Sequence, residues 1–354
     1  MSRNIFDRRY DEERRSAVHK TIRCIAGITT VLLSLYAASA VGSEKITIIV
    51  GGINKLIYLP PKLAESLGYF RDEGLDVELQ SQQAGVDAEN ELVAGAAQAV
   101  VGFYDHSIDL QAKGKEVESI VLFGLVPGSV EMVRSDMANQ IRSMGDLKGK
   151  TLGVTGLGSS SAFIGQYLAA RYGLKTSDYT TLPVGAGNAL LAAMKQRRVD
   201  VVWSTEPTTS LLRTTGDAKV LVDLSSVNGT RTALGGLYPA SSLYVQRIWA
   251  DTHRDDARKL ARAFVRTLHY IQTHSAEEIA DKMPSDYYGG NKSLYVKALQ
   301  ASMSMYSPDG KMPPGGPETV LKVMSEFNSN IKGKHIDLAR TFTNQFVDQA
   351  QAAQ

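Results

Sequence analysis

The feature that most constrains this chain is a regular alternation of strand and helix signals after about residue 44. Lys45–Val50, Leu75–Leu79 and Ala99–Phe103 are short β-branched or apolar runs, and helical segments separate them. A second series of the same kind begins at Thr151–Val154 and continues through Asp200–Trp203. Strands that alternate with helices form parallel sheets whose faces the helices cover. The sequence therefore predicts two successive α/β units.

From Asp255 onward the pattern becomes helical. The apolar face of this segment comprises Ala257, Leu260, Phe264 and Leu268. A Pro/Gly-rich connector follows at 308–317, and two terminal helices are expected beyond it. About 314 residues remain when residues 1–40 are set aside, which is a natural size for two lobes.

Residues 1–40 have the pattern of a secretory signal peptide. Residues 1–23 carry seven basic and four acidic residues, and an apolar run from Cys24 to Ala38 follows. This run of about fifteen residues is shorter than the roughly twenty that a membrane-spanning helix needs. It ends in Ala38-Ser39-Ala40, which fits the A-x-A cleavage pattern. We expect a cleaved leader and a periplasmic mature protein; the alternative is an uncleaved membrane anchor.

Removal of the leader changes the charge balance and the cysteine content of the chain. Subtracting its charges from the 39 basic and 37 acidic residues of the whole chain leaves 32 and 33. The mature chain is therefore near neutrality and has no basic excess that would favour nucleic acid. The only cysteine, Cys24, leaves with the leader, so we expect neither a disulfide nor thiol chemistry.

The mature chain lacks the sequence patterns of common catalytic sites. It has no Gly-x-Ser-x-Gly elbow, no His-Glu-x-x-His and no Walker loop. The turn 185–188 is only half of a dinucleotide fingerprint, because Leu190 stands where the third glycine belongs. The remaining histidines, at 106, 253, 269, 274 and 335, are scattered and do not indicate a metal site. We therefore expect no enzyme activity, no cofactor and no metal.

Several motifs together resemble one family of proteins. Tyr58–Glu78, with its Gly-Tyr-Phe and Glu-Gly-Leu-Asp-Val segments, is similar to the opening of the nitrate/sulfonate/taurine family of ABC-transporter substrate-binding proteins. Further stretches that agree in order and spacing are Met144–Lys150, Gly158–Ser161, Gln196–Trp203 and the following Glu206-Pro207. The likeness extends from about residue 45 to residue 330.

The resemblance implies a fold and a function. The fold class is α/β, a two-lobed periplasmic-binding-protein-like fold of type II whose lobes are mostly parallel sheets flanked by helices. Lobe 1 is expected to comprise residues 44–127 and 240–354 with the C-terminal helices, and lobe 2 residues 128–239. Glycines near 128 and 235 suit a hinge between them.

The implied function is that of an exported receptor, which captures a small organic or inorganic anion such as a sulfonate or nitrate by hinge closure. ABC permease and ATPase subunits are the expected partners of a monomeric receptor. The family also includes binders of thiamine-pyrimidine precursors. The alternatives are therefore a receptor for such a precursor or for an aromatic carboxylate, and a periplasmic sensory protein that is not coupled to a permease. The fungal thiamine-pyrimidine synthase shares the fold but carries a cysteine-rich motif that the mature chain lacks.

Candidate ligand residues in the first lobe follow the predicted strands, because ligands of open α/β sheets bind outside the carboxyl ends of the strands. Gly52 and Asn54 come after the first strand, and Asn54 suits a ligand contact or an ordinary turn equally. Tyr58 offers an aromatic ring nearby. Tyr104 and His106 follow Phe103, although a lone histidine is more often structural than a ligand.

The serine turn, which comprises Gly158, Ser159, Ser160 and Ser161, is the strongest candidate in the second lobe. It precedes a helix, whose free N–H groups and partial positive charge favour an anion. The simpler alternative is that one serine caps the helix. Trp203 is suited to stack on an organic ligand. Glu206 either borders the cleft or binds backbone amides across the lobe.

Overall fold

The computed structural model describes residues 44–352, so the predicted signal peptide at 1–40 lies outside the described residues. The strands are β1 (Ile46–Val50), β2 (Val77–Ser81), β3 (Ala99–Phe103), β4 (Val117–Leu122), β5 (Ser129–Arg134), β6 (Thr151–Val154), β7 (Thr180–Pro183), β8 (Val201–Thr205), β9 (Ala218–Leu224) and β10 (Ser241–Gln246). Within residues 44–352, no helix combines the length and the apolar content that crossing a membrane requires.

Fourteen α-helices lie in the described residues. They are α1 (Leu59–Ser66), α2 (Tyr69–Asp72), α3 (Gly85–Val93), α4 (Asp105–Ala112), α5 (Ser160–Ala170), α6 (Asn188–Lys195), α7 (Thr208–Thr215), α8 (Val227–Leu234), α9 (Arg247–Thr252), α10 (Arg254–Thr273), α11 (Ala276–Ala280), α12 (Lys292–Ser302), α13 (Gly316–Ser325) and α14 (Gln345–Ala352). The two terminal helices expected after the Pro/Gly-rich connector are α13 and α14, and α13 begins at the end of that connector because Pro317 suits its first turn.

The strands form two sheets with the same topology. Sheet 1 has the order β2-β1-β3-β10-β4, and sheet 2 has the order β7-β6-β8-β5-β9. In sheet 1, β10 is antiparallel to both of its neighbours, and in sheet 2 the same is true of β5. The remaining strands of each sheet run in one direction. The predicted two-lobed α/β fold of type II, with mostly parallel sheets, is confirmed.

The two antiparallel strands were not expected from the alternation of strands and helices. β5 follows β4 without an intervening helix, and it is the strand by which the chain enters sheet 2. β10 brings the chain back to sheet 1 after α8. Because a crossing chain arrives from the opposite lobe, each of these strands runs against its neighbours.

The helical segment after residue 254 packs as its sequence pattern indicates. Ala257, Leu260, Phe264 and Leu268 of α10 are fully buried. The ring of Phe264 lies 4.8 Å from that of Phe123 at the end of sheet 1 and 5.4 Å from that of Phe70 in α2. The long helix therefore joins the C-terminal region to lobe 1 through one continuous core.

Glu131 is an exception to the apolar core of lobe 2. It lies on β5 opposite Trp203 of β8, and its side chain is fully buried. Neither carboxylate oxygen has a hydrogen-bond partner among residues 44–352. Burial alone raises the pKa of Glu131 to about 8, because an unpaired charge is costly in a low-dielectric interior. Glu131 is therefore mostly protonated at neutral pH.

We predict that Glu131→Gln removes a pH dependence of stability. The raised pKa means that folded Glu131 retains a proton that the unfolded chain releases above its ordinary value of 4.5. The wild-type free energy of unfolding should therefore fall as pH rises from about 5 to about 8, by on the order of 3 kcal/mol from this group. Glu131→Gln should lack that slope in urea unfolding at pH 5, 6.5 and 8.

The exposed Glu326 supplies a matched control for this measurement. Glu326→Gln should keep the wild-type slope. Equal slopes for wild type and Glu131→Gln would show that Glu131 is not the buried, protonated group described above.

Candidate ligand site between the lobes

A cavity of about 700 Å³ lies where carboxyl ends of strands from both sheets face each other. The segments 52–55 and 81–83, which follow β1 and β2, form the wall on the side of lobe 1. The segments 186–189 and 206–208, which follow β7 and β8, form the wall on the side of lobe 2. The residues 286–289, with Asn291 and Leu294, close a third side. This is the position in which open α/β sheets bind ligands.

Lys55 is the only lysine among the residues that line this cavity in the described part of the chain. It is 7% exposed, and its Nζ donates a hydrogen bond of 2.5 Å to the Gly51 carbonyl. Among residues 44–352, no carboxylate oxygen lies within 4.0 Å of this Nζ. Burial lowers the pKa of Lys55 to about 8, and the more distant Asp87 opposes this only in part. The cavity wall therefore holds a cation that has lost water and gained no counter-ion.

Gly52 shapes the loop that carries this lysine. Its φ is 111°, in a region that favours glycine, and a Cβ at this position would lie 2.7 Å from the Lys55 Nζ. The absence of a side chain at Gly52 therefore lets Lys55 fold back over the loop. Gly52 and Asn54, both predicted as ligand residues, lie in the cavity wall.

Glu206 lines the opposite wall and makes two kinds of contact. Its Oε2 accepts a hydrogen bond of 2.9 Å from the Ser210 amide in the first turn of α7. Its carbonyl accepts one of 3.0 Å from the Leu56 amide, across the two lobes. Burial raises the pKa of Glu206, and the hydrogen bonds from Ser210 oppose this rise. The cross-lobe contact to a backbone amide thus involves the carbonyl, and the carboxylate binds within its own lobe.

The serine turn predicted as an anion site lies against a carboxylate of the protein itself. Ser160 Oγ donates a hydrogen bond of 2.7 Å to Oδ1 of Asp105, which is fully buried in lobe 1. Oδ2 of Asp105 accepts a further hydrogen bond of 2.8 Å from the Tyr238 hydroxyl. Burial raises the pKa of Asp105, and its partners oppose the rise. A carboxyl group therefore does lie at the N-terminus of α5, and it belongs to the other lobe.

The other members of the serine turn also contact protein groups. Ser159 Oγ accepts a hydrogen bond of 3.3 Å from the Val86 amide across the lobes. Ser161 Oγ accepts one of 3.0 Å from the Thr155 amide within lobe 2. Gly158 is exposed, with a φ of 84°. Apart from this glycine, the turn is buried, and Ser159 and Ser160 contact the opposite lobe.

The remaining predicted side chains are buried away from the cavity. The Tyr104 hydroxyl lies 2.5 Å from Thr341 Oγ1 inside lobe 1. His106 is paired with Glu89 in the interior. Burial lowers the pKa of His106, but the neighbouring Glu89 carboxylate outweighs this and the pKa is raised overall.

Two of the predicted aromatic residues take part in a row of rings. Phe103 lies 6.3 Å from the ring of Tyr58 and 6.2 Å from that of Trp203, so the row joins the two lobes. The indole N–H of Trp203 has no hydrogen-bond partner in the described part of the chain. The structure thus brings Gly52, Asn54 and Glu206 together in one cavity, and the ligand-binding roles of all the predicted residues stay predictions.

The sequence analysis did not select several parts of the cavity wall, among them Lys55 and the turn before α6. Lys55 lies between the chosen Asn54 and Tyr58, but a loop lysine ordinarily indicates a solvated charge. The turn 185–188 was considered only as an incomplete dinucleotide fingerprint. The sequence feature that could have identified this turn is its glycines, which precede a helix whose first turn has no acidic residue. In residues 44–352, no group of three or more His, Cys, Asp or Glu side chains is placed to hold a metal ion.

Comparison with proteins of known structure gives relatives that span most of the chain. A protein from Bordetella bronchiseptica RB50 is 34% identical, with a TM-score of 0.84 over 88% of this chain and 98% of that one. The alkanesulfonate-binding protein SsuA from Xanthomonas axonopodis pv. citri, solved with MOPS bound, is 18% identical, with a TM-score of 0.66 over 86% of this chain and 99% of that one.

One curated relative is the putative binding protein YtlA of Bacillus subtilis (strain 168), which is 21% identical over 262 residues. The match covers 72% of this chain and 75% of YtlA. The fold by itself does not separate receptors from enzymes, since the desulfurization enzyme DSZB is also similar, with a TM-score of 0.59 and 14% identity.

The family model described as NMT1/THI5 like matches residues 59–278, which is more than half of the chain. The resemblance predicted from Tyr58–Glu78 and the later motifs is confirmed at this level. The chain belongs to the NMT1/THI5-like family.

Proposed function

We propose that this protein is the exported substrate-binding component of an ABC importer, and that it captures a small organic anion by hinge closure. The observation that carries the proposal is Lys55, a buried cation without a counter-ion in the wall of a cavity between the lobes. A ligand anion would replace the water that the ammonium group has lost. A thiamine-pyrimidine precursor without an anionic group would leave Lys55 without a counter-ion.

The dimensions and lining of the cavity favour an organic ligand over a bare inorganic ion. About 700 Å³ lies within the range of pockets that hold small organic molecules, whereas a single water occupies about 30 Å³. Leu191, Leu211, Leu294 and Tyr288 add apolar surface to the wall. These features support an organic sulfonate or an aromatic carboxylate more than nitrate.

A receptor role is supported by relatives that are named as binding proteins and by a sequence without catalytic motifs. We propose coupling to a permease and an ATPase on the same basis, and a periplasmic location on the basis of residues 1–40. Hinge closure is supported by contacts between the lobes, such as that of Leu56 with Glu206. A ligand that touches both walls at once would stabilise the closed form.

The first test of this function is a thermal-shift titration with benzenesulfonate, butanesulfonate, benzoate, nitrate and the neutral benzenesulfonamide. Organic anions should raise the melting temperature of the wild type, because stabilisation grows with ligand concentration over Kd. Lys55→Met should weaken anion binding by about tenfold to a hundredfold, since it removes a charge-assisted hydrogen bond. Wild-type affinity should also fall as pH rises through about 8, where Lys55 loses its proton, and Lys55→Met should lack this pH dependence.

Lys148→Met, at an exposed lysine outside the cavity, is the matched control and should bind like the wild type. A wild type that responds to none of the anions would contradict the proposed function. Equal anion affinities of the wild type and Lys55→Met would show that Lys55 does not contribute to ligand binding.

The second test concerns closure. Ser160→Ala removes the hydrogen bond that joins the lobes at Asp105, and the loss of one donor to a buried carboxylate costs about 1–3 kcal/mol. We expect the ligand-free protein to shift toward an open form with a larger radius of gyration in small-angle X-ray scattering. Ser161→Ala loses only a contact within lobe 2 and should keep the wild-type radius. Unchanged scattering of Ser160→Ala would argue against a latch at this hydrogen bond.

A further inference from the structure

The parallel strands β6, β7 and β8 have their carboxyl ends toward the cavity and their amino ends at the opposite side of lobe 2. The segments that precede these amino ends form one surface, which we call the basic pole: 142–150, 171–178 and 195–200. Backbone hydrogen bonds hold the segments together. The Gly149 amide donates to the Asp178 carbonyl at 2.8 Å, and the Asp200 amide donates to the Thr151 carbonyl at 2.9 Å.

The basic pole concentrates positive charge. Its three segments carry eight basic and three acidic residues, whereas the mature chain as a whole is near neutrality. The remainder of the mature chain therefore has an acidic excess, and the two signs of charge are separated on the molecule. A surface with one dominant sign of charge attracts a partner of the opposite sign before contact is made.

The acidic side chains of the basic pole are occupied by the backbone of their own turns. Each accepts a backbone N–H group: Asp146 from Ser143 at 2.9 Å, Asp178 from Lys175 at 2.7 Å and Asp200 from Thr151 at 2.9 Å. These carboxylates are therefore held in the loops and do not extend toward the neighbouring lysines and arginines.

Most basic side chains of the pole have no ion-pair partner. Within residues 44–352, six of them have no carboxylate oxygen within 4.0 Å: Arg142, Lys148, Lys150, Lys175, Lys195 and Arg198. All of these except Lys150 are exposed. The other two basic residues are Arg197, which lies 3.6 Å from Asp136, and Arg171, which donates to the Ala233 carbonyl. The pole thus offers several free cations to a partner.

An exposed aromatic ring lies among these cations. Tyr172 is 61% exposed, although most large apolar or aromatic side chains of this protein are buried. A Cβ on Gly145 would lie 3.0 Å from its ring, so the ring covers the loop 142–150. Tyrosine rings next to lysine and arginine are typical of surfaces that lie at the headgroup level of a bilayer. Tyr172 therefore favours a lipid surface over an acidic soluble protein as the partner.

We propose that the basic pole docks on an anionic lipid bilayer through its unpaired lysine and arginine side chains and Tyr172. Lipid phosphates supply the negative charge, and the tyrosine ring enters the headgroup layer. The cavity lies at the other ends of β7 and β8, so docking leaves it accessible. This inference goes beyond the proposed function and does not depend on the identity of the ligand.

The test is co-sedimentation of the mature protein with vesicles of phosphatidylcholine, either alone or mixed with phosphatidylglycerol. The wild type should bind only the mixed vesicles, and high salt should release it. The double variant Lys148→Glu with Arg198→Glu should bind at least about tenfold more weakly, because each cation near an anionic surface adds to the attraction. Tyr172→Ser should weaken binding by about threefold or more.

The double variant Lys282→Glu with Lys332→Glu is the matched control. It makes the same change in net charge at exposed lysines of lobe 1 that have no carboxylate within 4.0 Å among the described residues. It should bind within about threefold of the wild type, and thermal unfolding should show that all variants are folded.

Three results would overturn the proposal. The first is equal binding of the wild type to both kinds of vesicle, and the second is an equal loss of binding in the two double variants. The third is salt-sensitive binding to soluble polyglutamate without binding to the vesicles, which would show that the pole recognises an acidic polypeptide. None of these results bears on ligand binding in the cavity, so the proposed function is tested separately.

Discussion

The hydrogen bond between Asp105 and Ser160 joins the two lobes through a fully buried carboxyl group. Asp105 follows β3, Ser160 begins α5, and the Tyr238 hydroxyl donates a hydrogen bond to the other carboxyl oxygen of Asp105. The cavity lies at the ends of β1, β2, β7 and β8, and Asp105 and Ser160 are not among its lining residues.

The sequence predicts the fold well because the signal for it is local. β-Branched runs and helical periodicity identify the α/β units, and the apolar face of α10 is buried as its spacing indicates. The direction of β5 and β10 is not local information, since it depends on the lobe from which the chain arrives. The ligand site is less predictable from the sequence, because it too depends on contacts between distant segments. Gly52 and Glu206 follow strands, whereas the burial of Lys55 and the Asp105 partner of Ser160 arise only when distant segments meet.

The N-termini of α5 and α6 differ in the protein groups that face them. At the N-terminus of α5, the Asp105 carboxyl group of the other lobe accepts a hydrogen bond from Ser160. At the start of α6, the N–H groups of residues 188–190 have no hydrogen-bond partner among the described residues. A pattern of glycine and serine before a helix therefore identifies a preference for anions, but it does not tell whether the protein or a ligand supplies the anion.

The positions of β5 and β10 affect the order in which the two sheets can form. In sheet 1, β10 lies between β3 and β4, so the strands before residue 123 cannot form their complete sheet alone. Two strand edges stay open until residues 241–246, more than a hundred positions later, insert between them. Lobe 2, whose strands are contiguous from Ser129 to Leu224, has no such requirement. The sheet of lobe 1 can therefore be completed only when β10 has been added. Pairing between strands that are far apart in the sequence is slow to form.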